Sequence, residues 1–179
     1  MRPKINSSQN ILDCASRLIR EEGVESCTMR RLAAECGTAV GTLYNYFPSH
    51  SSLLEELFLS SWTQTIEKLS LIECPGAEEH ICRFTALLDS EIRNRGGLGR
   101  FLRLNKEPEG NLSGYEQKIL DRILPLLEEI LHKSGKYLTY SSEELNISGK
   151  WLLIVLIDYI AEGSGDLSRL NKLIIHRFL

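Results

Sequence analysis

Thr38, Gly41, Thr42 and Asn45 fall on one side of a helical wheel drawn over Ala39–Phe47. Tyr44 and Tyr46 lie on opposite flanks, about 200° apart around the axis. Val40, Leu43 and Phe47 share the remaining side and are spaced to pack down. The outward face is therefore slim and polar, with a phenol at each edge. Such a face suits recognition by hydrogen bonding. The DNA major groove, about 12 Å wide, admits a helix only if its leading face is slim. Flanking contacts to phosphates would fix the register, and central side chains would read base edges. Gly41 costs about 1 kcal/mol of helix stability relative to Ala, which a close approach of backbone to a partner would justify. The residues alone leave open a second reading, a packed three-helix corner whose surface happens to be polar.

Other chemistries find less support. There is no GxSxG, no HExxH, no phosphate-binding loop and no carboxylate pair in an apolar setting, so no catalytic activity is expected. His80, Cys82, His132 and His176 invite a metal, but no pair has the i, i+4 spacing of a helical site, and neither metal nor cofactor is expected. Five cysteines, an odd number without CxxC, argue against a disulfide framework and for a reducing cytoplasm. Cys14 and Cys36 fall where small core residues are wanted, although a thiol switch is conceivable. The formal net charge of −3 excludes a uniformly basic nucleic-acid binder but not a local basic patch. Arg30 and Arg31 are candidates for such a patch or are simply solvated. The longest apolar run, Trp151–Ile157, is far too short to span a bilayer.

The elements that must position the polar face are helical throughout. A first helix is expected over Ser8–Glu22, with Ile11, Ala15, Leu18 and Ile19 on one face, a cap at Ser7 or Ser8, and a stop at Gly23. A second begins near Thr28, which can cap it, and buries Met29, Leu32, Ala33 and Cys36. Gly37 breaks it, and a third short helix, Ala39–Phe47, ends at Pro48. A long fourth helix follows, capped by Ser49 or, one turn later, by Ser52 with Glu55, and reaching about Leu71. At 1.5 Å per residue it spans roughly 30 Å. "ECPGAEE" (Glu73–Glu79) marks a boundary. Helices are then expected over Ala77–Arg95, Leu98–Asn105, Tyr115–Lys133 with a kink at Pro125, Ser142–Glu162 and Leu167–Leu179. The last two carry more apolar surface than one core in a chain this size needs, which suggests a two-fold four-helix interface with a second copy.

"TMRRLAAECGTAVGTLYNYFPSHSSLLEELF" (Thr28–Phe58), with "ILDCASRLIREEGVESCTM" before it, resembles the N-terminal signature of the tetracycline-repressor-like (TetR) family of transcription regulators. Beyond Cys74 the resemblance is one of architecture. It implies an all-α protein. Residues 1–50 would form a three-helix helix-turn-helix DNA-binding domain. A long helix would join it to a helical effector-binding and dimerisation domain over residues 51–179. It further implies that Thr28 meets a phosphate, and that Thr38, Ala39, Gly41, Thr42 and Asn45 face bases. Tyr44 and Tyr46 would contact phosphates. His50 stands where the family usually has a lysine, so a phosphate contact there would be weaker or pH-dependent. The residue also reads equally as a plain first-turn residue of the fourth helix. The family's ligand pocket lies among apolar helices, which would place Trp62, Phe84, Phe101 and Trp151 near a small-molecule effector. The implied function is a sequence-specific DNA-binding repressor. It would be a homodimer through its last two helices, bound to a near-palindromic double-stranded operator and released by that effector. The competing class is a helical adaptor that does not bind DNA.

Overall fold

The computed structural model describes residues 7–104, 112–135, 141–163 and 165–179, and every regular element among them is helical. In chain order these are α1 (Ser8–Glu22), a 3-10 turn (Val24–Ser26), α2 (Met29–Cys36), α3 (Val40–Tyr46) and α4 (His50–Ser70). There follow α5 (Ala77–Asn94), α6 (Leu98–Leu104), α7 (Leu112–Lys133), α8 (Ser142–Glu162) and α9 (Leu167–Phe178). The chain divides into two compact units. One comprises Met1–Trp62 with Arg93–Leu112, and the other Thr63–Ile92 with Ser113–Leu179.

In the first unit the start signals act as their residue types dictate. Ser7 accepts a hydrogen bond from the Asn10 amide, and Thr28 from the Arg31 amide, so each hydroxyl satisfies an N–H that its helix leaves free. Gly37 adopts the left-handed conformation, φ 66°. Its N–H bonds back to the Ala34 carbonyl and that of Thr38 to the Ala33 carbonyl, which closes α2 and turns the chain at once into α3. Ser49 and Ser52 cap α4 reciprocally, each hydroxyl accepting from the other's amide at 3.0 Å. The helix thus begins at His50, and of the two starts the sequence allowed the Ser49 start is the one adopted. Ile11, Ala15, Leu32, Leu43, Leu53 and Leu54 are fully buried or nearly so and form the core against which α3 is seated. Each such side chain contributes about 1.5–3 kcal/mol on leaving water.

The turn between α5 and α6 completes this unit. Gly96 has φ 53°, and a Cβ there would stand 2.8 Å from the carbonyl oxygen of Ile19 in α1. No residue with a side chain fits, so the chain needs glycine on both counts.

The second unit is a helical core around Phe84, Leu88, Ile123, Leu127, Leu153 and Leu156, all without exposed surface. A Cβ at Gly149 would lie 2.9 Å from the Leu124 side chain, so the glycine lets α8 run close over α7. Ser141 and Glu144 form a reciprocal capping box at the start of α8. The hydrogen bonds from Ser141 hold the Glu144 carboxyl below its ordinary range. Asp166 caps α9, and Thr85 donates to Asn171 at 2.8 Å, joining α5 to α9. The helix expected from Tyr115 begins earlier, at Leu112, and α7 continues through the exposed Pro125. Most of the loop expected between α6 and α7 lies outside the described residues.

Candidate nucleic-acid interface

α3 is seated by one side and exposed on the other. Leu43 is wholly buried and Phe47 nearly so, with Val40 half-buried beside them. Gly41, Tyr44, Asn45 and Tyr46 are exposed, the two tyrosines by 48% and 40%. Thr42 and Thr38 are half-buried at the margin. The polar residues singled out by the wheel therefore share one accessible surface. Ala39 stands just outside the helix as its N-cap residue, in extended conformation, and offers no side-chain cap. Thr28 is exposed, with its hydroxyl engaged at the start of α2.

Gly41 carries ordinary helical backbone, and a Cβ built there meets nothing within 4 Å. Neither packing nor a positive φ inside the chain asks for glycine at this position. Alanine would fit and would favour the helix.

Three elements hold the interface in place. Arg17 of α1 pairs with Glu35 of α2 at 2.8 Å, and Arg31 pairs with Glu22 at 2.7 Å and more loosely with Glu35. These are exposed pairs, each contributing about 0–1 kcal/mol, so they orient more than they stabilise. They also separate two neighbours that sequence could not rank. Arg31 is committed to this cluster. Arg30 is exposed and has no ion-pair or hydrogen-bond partner among the described residues. His50 is engaged too: its Nε2 lies 2.6 Å from the Cys27 carbonyl oxygen. A carbonyl only accepts, so Nε2 carries the proton. This tie between the first turn of α4 and the residue before Thr28 had no signal in the sequence.

The thiols nearby are structural. Burial pushes the Cys27 thiol up to about 11 and is the main cause raising Cys36 to about 12, with Cys14 hydrogen-bonded beside it. Neither is a thiolate near neutral pH, and the thiolate is the reactive form. Among the described residues no group of three or more His, Cys, Asp or Glu could hold a metal ion, and no helix is long and apolar enough to cross a membrane.

The four residues expected near an effector are distributed between the two units. Trp62 is buried and Phe101 half-buried in the first. Phe84 is fully buried in the second, where Trp151 is 67% exposed on α8. Trp151 lies in a stripe with Ile147, Ile154 and Val155, all at least 42% exposed and spaced on one helical face.

Residues 11–57 match the family described as bacterial regulatory proteins, tetR family. The N-terminal segment of the chain is thus similar to that family. The segment takes in most of α1, all of α2 and α3 and the first turns of α4. Over 70 residues the chain is 33% identical to the nucleoid occlusion factor SlmA of Shewanella denitrificans, a match covering 39% of this chain and 36% of that protein. It is 45% identical over 49 residues to an HTH-type transcriptional regulator of Staphylococcus aureus, covering 27% of this chain and 26% of that one. The chain thus matches about a third or less of these relatives' length. The fold likeness extends further. The transcriptional regulator FadR of Bacillus subtilis, solved in complex with stearoyl-CoA, superposes with a TM-score of 0.66 at 20% identity. That superposition covers 95% of this chain and 96% of that one.

Proposed function

We propose that this protein is a TetR-family, sequence-specific DNA-binding transcriptional regulator, a repressor released from its operator by a small-molecule effector, and not an enzyme. The observation that carries the reading is Gly41. It weakens a seven-residue helix without any return inside the chain. It does so at the centre of an exposed polar face flanked by Tyr44 and Tyr46. A glycine that its own fold does not need is accounted for by a partner that approaches the backbone. In the major groove, Thr38, Thr42 and Asn45 read base edges beside Ala39 and Gly41. Tyr44, Tyr46 and Thr28 meet phosphates on either side. Arg30, exposed and uncommitted, joins the phosphate contacts. His50 acts through the carbonyl of Cys27 by fixing α4 against the start of α2.

Function at a near-palindromic operator requires two copies of α3, one to each half-site. The exposed apolar stripe of α8, with Leu173 of α9 57% exposed, supports a homodimer through the last two helices. Residues 1–50 then serve DNA and residues 51–179 the effector and the second copy, in the cytoplasm. The stearoyl-CoA held by the Bacillus subtilis protein supports a ligand site in this fold. An effector acts through a coupling free energy: it binds better to a conformer whose two recognition helices no longer fit the groove spacing.

The test is salt dependence. Affinity for operator DNA, selected from random duplexes, falls steeply with added salt if several phosphates are neutralised. Failure to retain any duplex at low salt overturns the reading and leaves the helical adaptor.

A further inference from the structure

The indole N–H of Trp62 is buried and has no hydrogen-bond partner among the described residues. Trp62 itself is only 5% exposed. A buried donor left without an acceptor is costly and uncommon. The surroundings make it more unusual. The guanidinium of Arg95, 8% exposed, lies over the Trp62 ring with its central carbon 4.1 Å from the ring centroid. Arg95 is fixed there through Ser61, its Nε donating to the hydroxyl at 2.9 Å and a terminal nitrogen to the carbonyl at 3.2 Å. Phe58 packs edge-on against the same indole, and Leu98 and Leu102 are buried on α6. An N–H donor and a cation thus stand together among apolar groups, all within the first unit.

We propose that Trp62 and Arg95 form the anchor for the effector's head group, and that the effector is a small amphiphile with an anionic head and an apolar body. This rests on the ligand-responsive reading above and gives its ligand a chemical class. The Trp62 N–H donates to an anionic oxygen, and the Arg95 charge favours it. Carboxylates and phosphate esters share this chemistry. The site also has a route to the DNA-binding helices. Arg95 is followed by Gly96, whose backbone abuts the Ile19 carbonyl so closely that no side chain fits. A head group that draws Arg95 off its present position moves the turn pressed against α1.

The experiment uses the full chain carrying Trp151→Phe, which leaves Trp62 as its one tryptophan. Decanoate, decyl phosphate and decan-1-ol are titrated while indole fluorescence is read, and operator binding is followed in parallel in the wild-type chain. The anions are expected to change the emission and release DNA, with the alcohol at least about tenfold weaker, as befits a lost hydrogen bond to a charged group. Decanoate against decyl phosphate then distinguishes the head. In otherwise wild-type protein Trp62→Phe, which removes the N–H and keeps an aromatic ring, is expected to lose the DNA-release response about tenfold while binding DNA normally. Arg95→Lys keeps the charge, and the same loss is expected if Trp62→Phe folds poorly. An alcohol as effective as the anions, or a Trp62→Phe protein released like the wild type, overturns the proposal. Because fluorescence reads the site without DNA, absence of DNA binding would sink the functional reading while the anchor is still scored on its own.

Discussion

The imidazole of His50 donates to the carbonyl oxygen of Cys27 across 2.6 Å, joining the first turn of α4 to the residue that precedes the cap of α2. The bond spans 23 residues of sequence and lies beside a buried thiol. Replacing the ring leaves the carbonyl without its donor. His50→Ala is therefore expected to lower stability by about 1 kcal/mol, the net worth of a typical hydrogen bond. In a chain of this size that is about 2–4 °C in Tm. A urea or thermal melt of the variant checks it. An unchanged melt would mean that the ring does not hold α4 in place.

Gly41 sets stability against function. Gly41→Ala meets no neighbour within 4 Å and is expected to raise stability by up to about 1 kcal/mol. The same methyl group stands on the exposed face of α3 and should weaken operator binding. A melt and a DNA titration on the same sample read both signs. Tighter or equal binding by a more stable variant would remove the close approach on which the functional reading rests.

Asn45 and Tyr44 are adjacent, exposed and expected to act differently. Asn45→Ala is expected to lose about 1–3 kcal/mol of discrimination between the operator and a substituted site, since an amide reads a base edge. Tyr44→Phe removes only a hydroxyl, which in the proposed function meets phosphate, and should weaken all duplexes by a similar factor. Competition binding with matched and mismatched duplexes separates them. If both variants kept wild-type affinity and preference, α3 would not be the reading helix.

What could be read from sequence was what is local. A cap at Ser7 or Ser8, one at Thr28, one at Ser49 or Ser52, the stop at Gly37 and the two faces of α3 follow from residue type and helical period, and the structure adopts Ser7, Thr28 and Ser49. Pairings over long separations were not legible. Nothing in the letters ties His50 to Cys27, lays Arg95 on Trp62 or commits Arg31 rather than Arg30 to an ion-pair cluster. Those depend on how helices cross. Trp151 shows the same limit: an aromatic on an apolar helix has the same pattern whether it faces a core, a ligand or a second copy.

His80 gives stability a pH dependence. It is buried, and its Nδ1 lies 3.3 Å from the Lys133 ammonium, which in turn pairs with Glu129 at 2.8 Å. Burial first, and the Lys133 charge second, hold its pKa below the ordinary histidine value, with Glu129 opposing. The unfolded chain then binds a proton at a pH where the folded chain does not. Stability is complete above the unfolded value, near 6.5, and declines as pH falls from there towards the depressed folded value. His80→Gln is expected to flatten the part of the decline that sets in as pH falls below about 6.5. Urea midpoints at several pH values for both proteins check it; parallel declines would assign the effect to other groups.

The stripe of Ile147, Trp151, Ile154 and Val155 leaves large apolar side chains in water on one face of α8, with Leu173 exposed on α9. Scattered apolar residues on a surface need no explanation, but a contiguous helical row of them marks an interaction site. A two-fold interface lets each copy's stripe cover the other's. Trp151→Asp places a charge in the middle of that face at a side chain that is 67% exposed, so the fold should survive. Dimer association is expected to weaken by at least about 2 kcal/mol, the scale of an interfacial tryptophan anchor. Sedimentation at micromolar concentration should show monomer with unchanged helical content. Operator affinity should fall with it, since one α3 reaches one half-site. A Trp151→Asp protein that stayed dimeric would move the interface off α8.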